Sequence, residues 1–323
     1  MRFEKWQALG NDYLIVEQSE LPFQLTPARI RRLCEGHFGV FADGVLLLMP
    51  SEDPRFVARL RIYNPDGSEA ELSGNGAREA ILYLRRRGWT DQDSFSIQTA
   101  AGEIRPTITG PDTCRVDMGR ASLTSKDFPD GPGDGRGKLR AGGRLWRFQH
   151  VSIGNPQCAI HVDDLATLAE LDLPAIGAEI ESHESFPNRT NVSWYTEVPH
   201  ARTPSGAHPK GTRQAGDPGP GGGASIRARI FERGVGETLS SGTGATGAAV
   251  AHALRSGSGA SGLVTVVLDG GELEVEVEKG LHVHLTGWAR PVFEGRLSAE
   301  FVRELSEIDE GFVKEDGGPK GAT

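Results

Sequence analysis

The sequence predicts an α+β protein built from two similar domains, and three features carry that expectation. A short motif occurs twice, as Ser73-Gly74-Asn75-Gly76-Ala77 and as Ser241-Gly242-Thr243-Gly244-Ala245, at a spacing too long for a solenoid. Its flanks repeat as well: Arg61-Ile62-Tyr63 and Ile226-Arg227-Ala228-Arg229-Ile230 have strand character upstream, each followed by a polar turn containing Gly67 or Gly234-Val235-Gly236. Helical periodicity and then alternating strands follow each copy.

Taken in chain order, a strand is expected around Leu14-Ile15-Val16, and Thr26-Pro27 should cap a helix, because proline suits the first helical position. After the first motif Ala77, Ile81 and Leu84 recur at helical spacing, up to a stop at Gly88. After the second, Ala249 with Ala253 and Val250 with Leu254 do the same, up to Gly257. Each motif therefore opens a helix. Meanders follow, through Phe95, Ile97, Ile104, Ile108, Val116 and Met118 in the first half. In the second half they run through Val264, Val266 and Leu268, then Leu273, Val275 and Val277, then Leu281, Val283 and Leu285, turning at Asp269-Gly270-Gly271 and Lys279-Gly280.

Domains are thus expected at 1–120, completed by a strand near 289–297, and at 144–288, with a boundary in the Gly-, Asp- and Pro-rich stretch 129–143. Residues 200–223 carry Pro204, Pro209, Pro218 and Pro220 among many glycines and are expected to form a disordered insertion, and 314–323 a frayed tail.

At 323 residues the chain is long enough for two domains that each bury a core. No apolar run approaches the roughly 18 residues needed to cross a bilayer. The start, Met1-Arg2-Phe3-Glu4-Lys5-Trp6, lacks the features of a secretory leader, so a cytoplasmic protein is expected. A formal charge of -9 disfavours nucleic acid and membrane surfaces as partners and leaves a small molecule. Cys34, Cys114 and Cys158 are odd in number and scattered, which suits inert core residues better than a disulfide framework or a zinc site. His282 and His284 share one face of a strand and make half of a metal site, but no third ligand is placed and no metal is assigned. Nucleotide-binding, Walker and His-Glu-x-x-His patterns are absent, so no cofactor is expected.

A Ser-Gly-x-Gly-Ala turn feeding a helix leaves backbone N–H groups unpaired and aimed, with the helix dipole, at whatever lies ahead of them. For one copy, a serine N-cap is explanation enough. Two matching copies point instead to one carboxylate held between two helix N-termini, with Ser73 and Ser241 on opposite sides of it.

Five segments in order resemble the successive signatures of the diaminopimelate epimerase family, over about Phe3 to Glu294. They are Leu9-Gly10-Asn11-Asp12-Tyr13, Asn64-Pro65-Asp66-Gly67-Ser68-Glu69, Gly74-Asn75-Gly76-Ala77-Arg78, Gly154-Asn155-Pro156 and Glu232-Arg233 through Glu237-Thr238. The resemblance implies two pseudo-symmetric domains, each a mixed β-sheet wrapped around a central helix, with the site between them and a homodimer as the assembly. It implies a cofactor-independent, two-base isomerase that interconverts LL- and meso-diaminopimelate in lysine and cell-wall precursor synthesis. In that family a cysteine before each helix carries the proton, and those positions here are Ser73 and Ser241. Gly74, Asn75, Gly242 and Thr243 would hold the reacting carboxylate, while Asn11, Asn64, Asn155, Asn191, Glu232 and Arg233 would read the rest of the amino-acid substrate. Arg233 suits a bidentate carboxylate clamp. Taken alone, Asn64 and Asn155 read equally as turn residues, and Glu232-Arg233 as a surface ion pair.

The departures from the family pattern cluster at the chemistry. Gln157 stands where the family usually has histidine, Thr246 and Glu79 where secondary cysteines are common, and Phe41 where glycine is usual. A laboratory exchange of two cysteines would leave those neighbours untouched, so the serines are read as native. An alcohol, like water, ionises far above the thiol's value of about 8.5. A helix N-terminus recovers at most about 2 kcal/mol of that gap, and no histidine or lysine activates either motif in the sequence. Two further readings stay open: an isomerase of a different carboxylate, and an amino-acid-binding paralogue without turnover.

Overall fold

A computed structural model describes residues 1–199, 223–257 and 261–308. The insertion expected at 200–223, apart from Gly223, and the tail expected at 314–323 lie outside the described residues. Six α-helices are present among the described residues: α1 (Pro27–Cys34), α2 (Gly74–Arg86), α3 (Leu165–Glu170), α4 (Leu173–Glu181), α5 (Gly242–Ser256) and α6 (Ala299–Glu307).

Two mixed sheets surround α2 and α5. The first runs Arg290–Arg296, Arg2–Ala8, Asn11–Glu17, Val45–Met49, Ala58–Tyr63, Ile97–Thr99, Gly102–Ile104, with Glu69–Ala70 beside Ala58–Tyr63. The second runs Arg136–Ala141, Arg144–Ser152, Pro156–His161, Asn191–Glu197, Ala224–Glu232, Gly262–Leu268, Gly271–Val277, His282–Trp288, Thr113–Arg120, Pro106–Gly110, with Gly236–Thr238 beside Ala224–Glu232. In both, the strand before the repeated motif is parallel to the strand after its helix: Ala58–Tyr63 to Ile97–Thr99, and Ala224–Glu232 to Gly262–Leu268. The sequence repeat is thus a repeat of topology.

A helix wrapped by a sheet buries all its sides, most of them lined by apolar or small residues. In α2 every residue from Asn75 to Leu84 is buried, and in α5 every residue from Gly244 to Ala253. The alanines of α5 let its strands approach closely, and a Cβ on Gly244 would stand 2.8 Å from the Ile230 side chain. Ala77 and Ile81 of α2 share one continuous apolar cluster with Ala245 and Ala249 of α5, so the two halves have a common core. Separate clusters lie around Phe148, Phe186 and Trp194, and under α1 and α6 around Ile30, Leu33 and Leu305.

Two strands depart from the sequence expectation in the sheet they join. Pro106–Gly110 and Thr113–Arg120, expected in the first domain, hydrogen-bond into the second sheet through His282–Trp288. The strand at Arg290–Arg296, by contrast, pairs with Arg2–Ala8 in the first. Each half therefore lends an edge to the other. The stretch 129–143, read as a boundary, contains the edge strand Arg136–Ala141, which turns at Gly142-Gly143 into Arg144–Ser152. Only Leu139 and Ala141 of that strand are buried, too little alternation to signal it. Helices α3, α4 and α6 were not expected either.

The halves also interlock through turns. The Gly270 N–H donates to the Leu239 carbonyl at 2.8 Å, and a Cβ on Gly270 would lie 1.8 Å from the Leu9 carbonyl oxygen. Backbone cannot yield cheaply there. Gly270→Ala should lower unfolding stability by about 1–3 kcal/mol, the usual cost of overpacking. Chemical denaturation measures it, and an unchanged midpoint would mean the two turns are not docked.

Candidate active site

The two repeated serines form nearly superimposable caps. Ser73 precedes α2 with φ -126° and ψ 122°, and Ser241 precedes α5 with φ -145° and ψ 122°. Ser73 Oγ accepts from the Gly76 N–H at 3.1 Å, and Ser241 Oγ accepts from the Gly244 N–H at 3.2 Å. The helix starts meet: a Cβ on Gly74 would come within 3.4 Å of Gly242 Cα. Two positive helix ends converge on one place, as an anion site requires.

Each serine has a partner that the motif alone did not reveal. The Tyr13 hydroxyl donates to Ser73 Oγ at 3.2 Å, and burial raises the tyrosine's pKa, keeping it a donor. With Gly76 N–H and Tyr13 O–H both donating, Ser73 Oγ is set up to stabilise an alkoxide. On the other side the Glu232 carboxyl lies near the Ser241 hydroxyl. Burial raises the Glu232 pKa, and the Ser241 hydroxyl only partly opposes it. One serine is ringed by donors and the other faces a carboxyl. Strand alternation does put Tyr13 on the same face as Asn11, and that was the available signal for Tyr13.

Around these serines most of the expected ligands assemble. Asn75 Nδ2 donates to Asn11 Oδ1 at 3.2 Å and to Ser240 Oγ at 3.0 Å, tying the first half to the second. Arg78, fully buried, holds Asn75 Oδ1 at 2.6 Å and the Gly74 carbonyl at 2.9 Å. Asn11 is itself fixed by Asp43 at 2.8 Å. On the α5 side Asn155 donates to Thr243 Oγ1 at 3.2 Å, and Gln157 donates to Asn155 Oδ1 at 2.7 Å. Asn191 is buried, accepting from the Arg233 backbone N–H at 2.8 Å and donating to the Pro156 carbonyl at 3.1 Å.

Two expected residues stand apart. Asn64 is spent on its own turn, donating to Ser68 Oγ at 2.9 Å and accepting the Gly67 N–H at 2.9 Å. The Arg233 side chain is exposed, with Nη1 on the Asn188 carbonyl at 2.9 Å. The three cysteines are buried and unbridged. Burial pushes both the Cys34 and Cys114 thiols up to about 12.

Glu79 sits beside Arg78 in α2 with both carboxyl oxygens buried and lacking a hydrogen-bond partner among the described residues. Burial raises its pKa well above the ordinary carboxylate value, against the opposing pull of Arg78. A pKa raised in the folded state means the native protein holds the proton longer than the unfolded chain does. Stability should therefore be fullest below the ordinary glutamate value and fall as pH rises above it, by about 1.4 kcal/mol for each pH unit in that window. Glu79→Gln should flatten this decline and leave the protein more stable at neutral pH. Melting temperatures measured from pH 4 to 8 test it, and parallel curves for the two proteins would refute it.

A family model described as diaminopimelate epimerase matches residues 3–124 and 149–291, spanning both helices and both serines. The chain belongs to the diaminopimelate epimerase family. It is similar to the diaminopimelate epimerase of Pelotomaculum thermopropionicum, with 38% identity over 91% of this chain and 98% of the relative. Against that of Moorella thermoacetica the identity is 36%, over 91% of this chain and 98% of the relative. Among solved structures, a hydroxyproline epimerase from Agrobacterium vitis matches with TM-score 0.60 at 16% identity, over 91% of each chain. A phenazine biosynthesis protein of the PhzF family from Bacillus anthracis matches with TM-score 0.62 at 17% identity, over 92% of this chain and 99% of that one. These structures share the fold. The chain is accordingly an isomerase of the racemase and epimerase class.

Proposed function

We propose that the protein interconverts LL- and meso-diaminopimelate by proton transfer between Ser73 and Ser241, without a cofactor. The observation that carries this reading is the meeting of two serine-capped helix N-termini at Gly74 and Gly242. The substrate's reacting carboxylate lies against the N–H groups of Gly74-Asn75 and Gly242-Thr243, which offset the negative charge that develops when the α-proton leaves. Ser241 Oγ takes the α-proton as its own proton passes to Glu232. The Ser73 hydroxyl protonates the opposite face, and the alkoxide it leaves is held by Tyr13 and the Gly76 N–H. Solvent exchange resets both groups, and the reverse reaction runs the same steps backwards. Asn11, Asn155, Asn191 and Glu232 read the near side of the substrate. Asn64 and the exposed Arg233 stand at the rim, Arg233 as the partner of the distal carboxylate.

The same proposal places the enzyme in lysine and cell-wall precursor synthesis, as a cytoplasmic homodimer. Its first domain spans 1–120, less the strands lent to the second sheet and completed by Arg290–Arg296, and its second spans 144–288. A second reading, binding without turnover, is favoured by one observation, that both proton carriers are alcohols. Incubating the protein with LL-diaminopimelate in D2O separates the two. Deuterium at the α-carbon supports the epimerase, whereas saturable binding with no exchange supports the binder.

A further inference from the structure

We propose that the outer face of the second sheet carries a divalent metal site of zinc type, formed by Asp117, His282 and His284 with Glu278 as fourth ligand. His282 and His284 lie two residues apart on the strand His282–Trp288 and so share a face, with ring centroids 5.1 Å apart. The third ligand comes from the neighbouring strand Thr113–Arg120. Its pairing slips between Val283 and His284, so that Gly119 opposes Val283 while Asp117 opposes His284 and Met118 is passed over. A bulge of this kind re-aims side chains, and here it turns Asp117 towards both rings. Asp117 Oδ1 stands 2.8 Å from His282 Nε2, and the three candidate donor atoms all lie within 4.8 Å of one another.

The fourth donor is delivered by a strained turn. Leu281 has a positive φ of 64°, and its N–H bonds back to the Glu278 carbonyl at 3.0 Å. Glu278 is thereby folded back until Oε1 lies 3.2 Å from His284 Nε2. Arg115 competes for this carboxylate only weakly, at 3.9 Å, because it is engaged with Glu276 at 2.6 Å. Two imidazoles and two carboxylates match the nitrogen and oxygen preferences of zinc. All four side chains are partly exposed, which leaves them free to close and an ion free to enter.

The site is separate from the serines. Leu285, buried on the inner face of the same strand, would meet a Cβ placed on Gly242 at 3.1 Å, so the histidines point away from α5. A bound ion would join Thr113–Arg120, from the first half of the chain, to His282–Trp288, from the second, and stabilise the native state by mass action.

Full-length protein stripped with a chelator and titrated with ZnCl2 in a calorimeter should bind one equivalent, and its melting temperature should rise by several degrees with added zinc. His282→Ala and His284→Ala should abolish both effects while leaving the metal-free melting temperature and circular dichroism unchanged, and Asp117→Asn should weaken binding. His183→Ala, remote from the cluster, should bind as the parent does. Cobalt supplies an independent readout, since its visible absorption should develop on binding and be lost in His284→Ala. The proposal is overturned if the parent shows no saturable binding, or if binding survives in the double variant His282→Ala, His284→Ala.

Discussion

Restoring both thiols, as Ser73→Cys with Ser241→Cys, should raise epimerase turnover by more than the product of the two single gains. A two-base reaction needs an acid and a base in the same cycle, so one thiol still works against one alcohol in each direction. The gap between alcohol and thiol is about seven pKa units, each worth about 1.36 kcal/mol, and only the double variant removes it on both faces. A gain of at least ~100-fold is expected, the lower end of what positioned acid–base groups supply. Diaminopimelate affinity should change little, because the carboxylate contacts are backbone N–H groups of Gly74 and Gly242 that the substitutions leave in place. A double variant that binds diaminopimelate but stays inactive would put the obstacle elsewhere, with Gln157 and Phe41 the first residues to revert. Failure to bind at all would sink the substrate assignment.

Glu232→Gln should reduce turnover of the parent by roughly 10²–10⁴, the usual worth of a general base. The substitution keeps shape and hydrogen-bonding reach but removes the group that receives the Ser241 proton. Burial holds the Glu232 pKa above the ordinary carboxylate value, so parent activity should fall as pH drops through that raised value, because the protonated carboxyl no longer accepts. A purely substrate-reading role predicts something different: a rise in KM that is just as large when Ser241 is cysteine. If Glu232→Gln harms the Ser241→Cys protein as much as the parent, Glu232 acts on the substrate and not on the serine.

The repeat made the centre of this molecule legible. A Ser-Gly-x-Gly-Ala run followed by apolar spacing specifies a capped helix wherever it occurs, and its recurrence paired Ser73 with Ser241 before any contact was known. Alternation in Thr113–Arg120 revealed a strand but not its neighbours, because a period of two marks faces and says nothing about which sheet supplies the hydrogen bonds. Arg136–Ala141 was hidden by its edge position, where one half-buried face suffices. Around the serines, Asn75 hydrogen-bonds Asn11 and Asn155 hydrogen-bonds Thr243. Tyr13 was passed over because its hydroxyl matters only through the position of Ser73, more than 50 residues on. The third ligand for His282 and His284 was invisible for a similar reason, since a bulge in another strand delivers it.

The pairing of Arg290–Arg296 with Arg2–Ala8 has a consequence for biosynthesis. A ribosome makes the first strand long before the partner that covers its outer edge, and during that interval the nascent sheet offers unsatisfied backbone groups to any passing chain. The closing contact joins Arg2 to Arg296, which raises contact order and slows the final step of folding. Chaperones would meet a nascent chain whose second sheet also awaits His282–Trp288 before Thr113–Arg120 can be seated. Premature termination anywhere before that strand leaves both sheets open at once, so truncated translation products should be cleared or should aggregate, with no intact half persisting on its own.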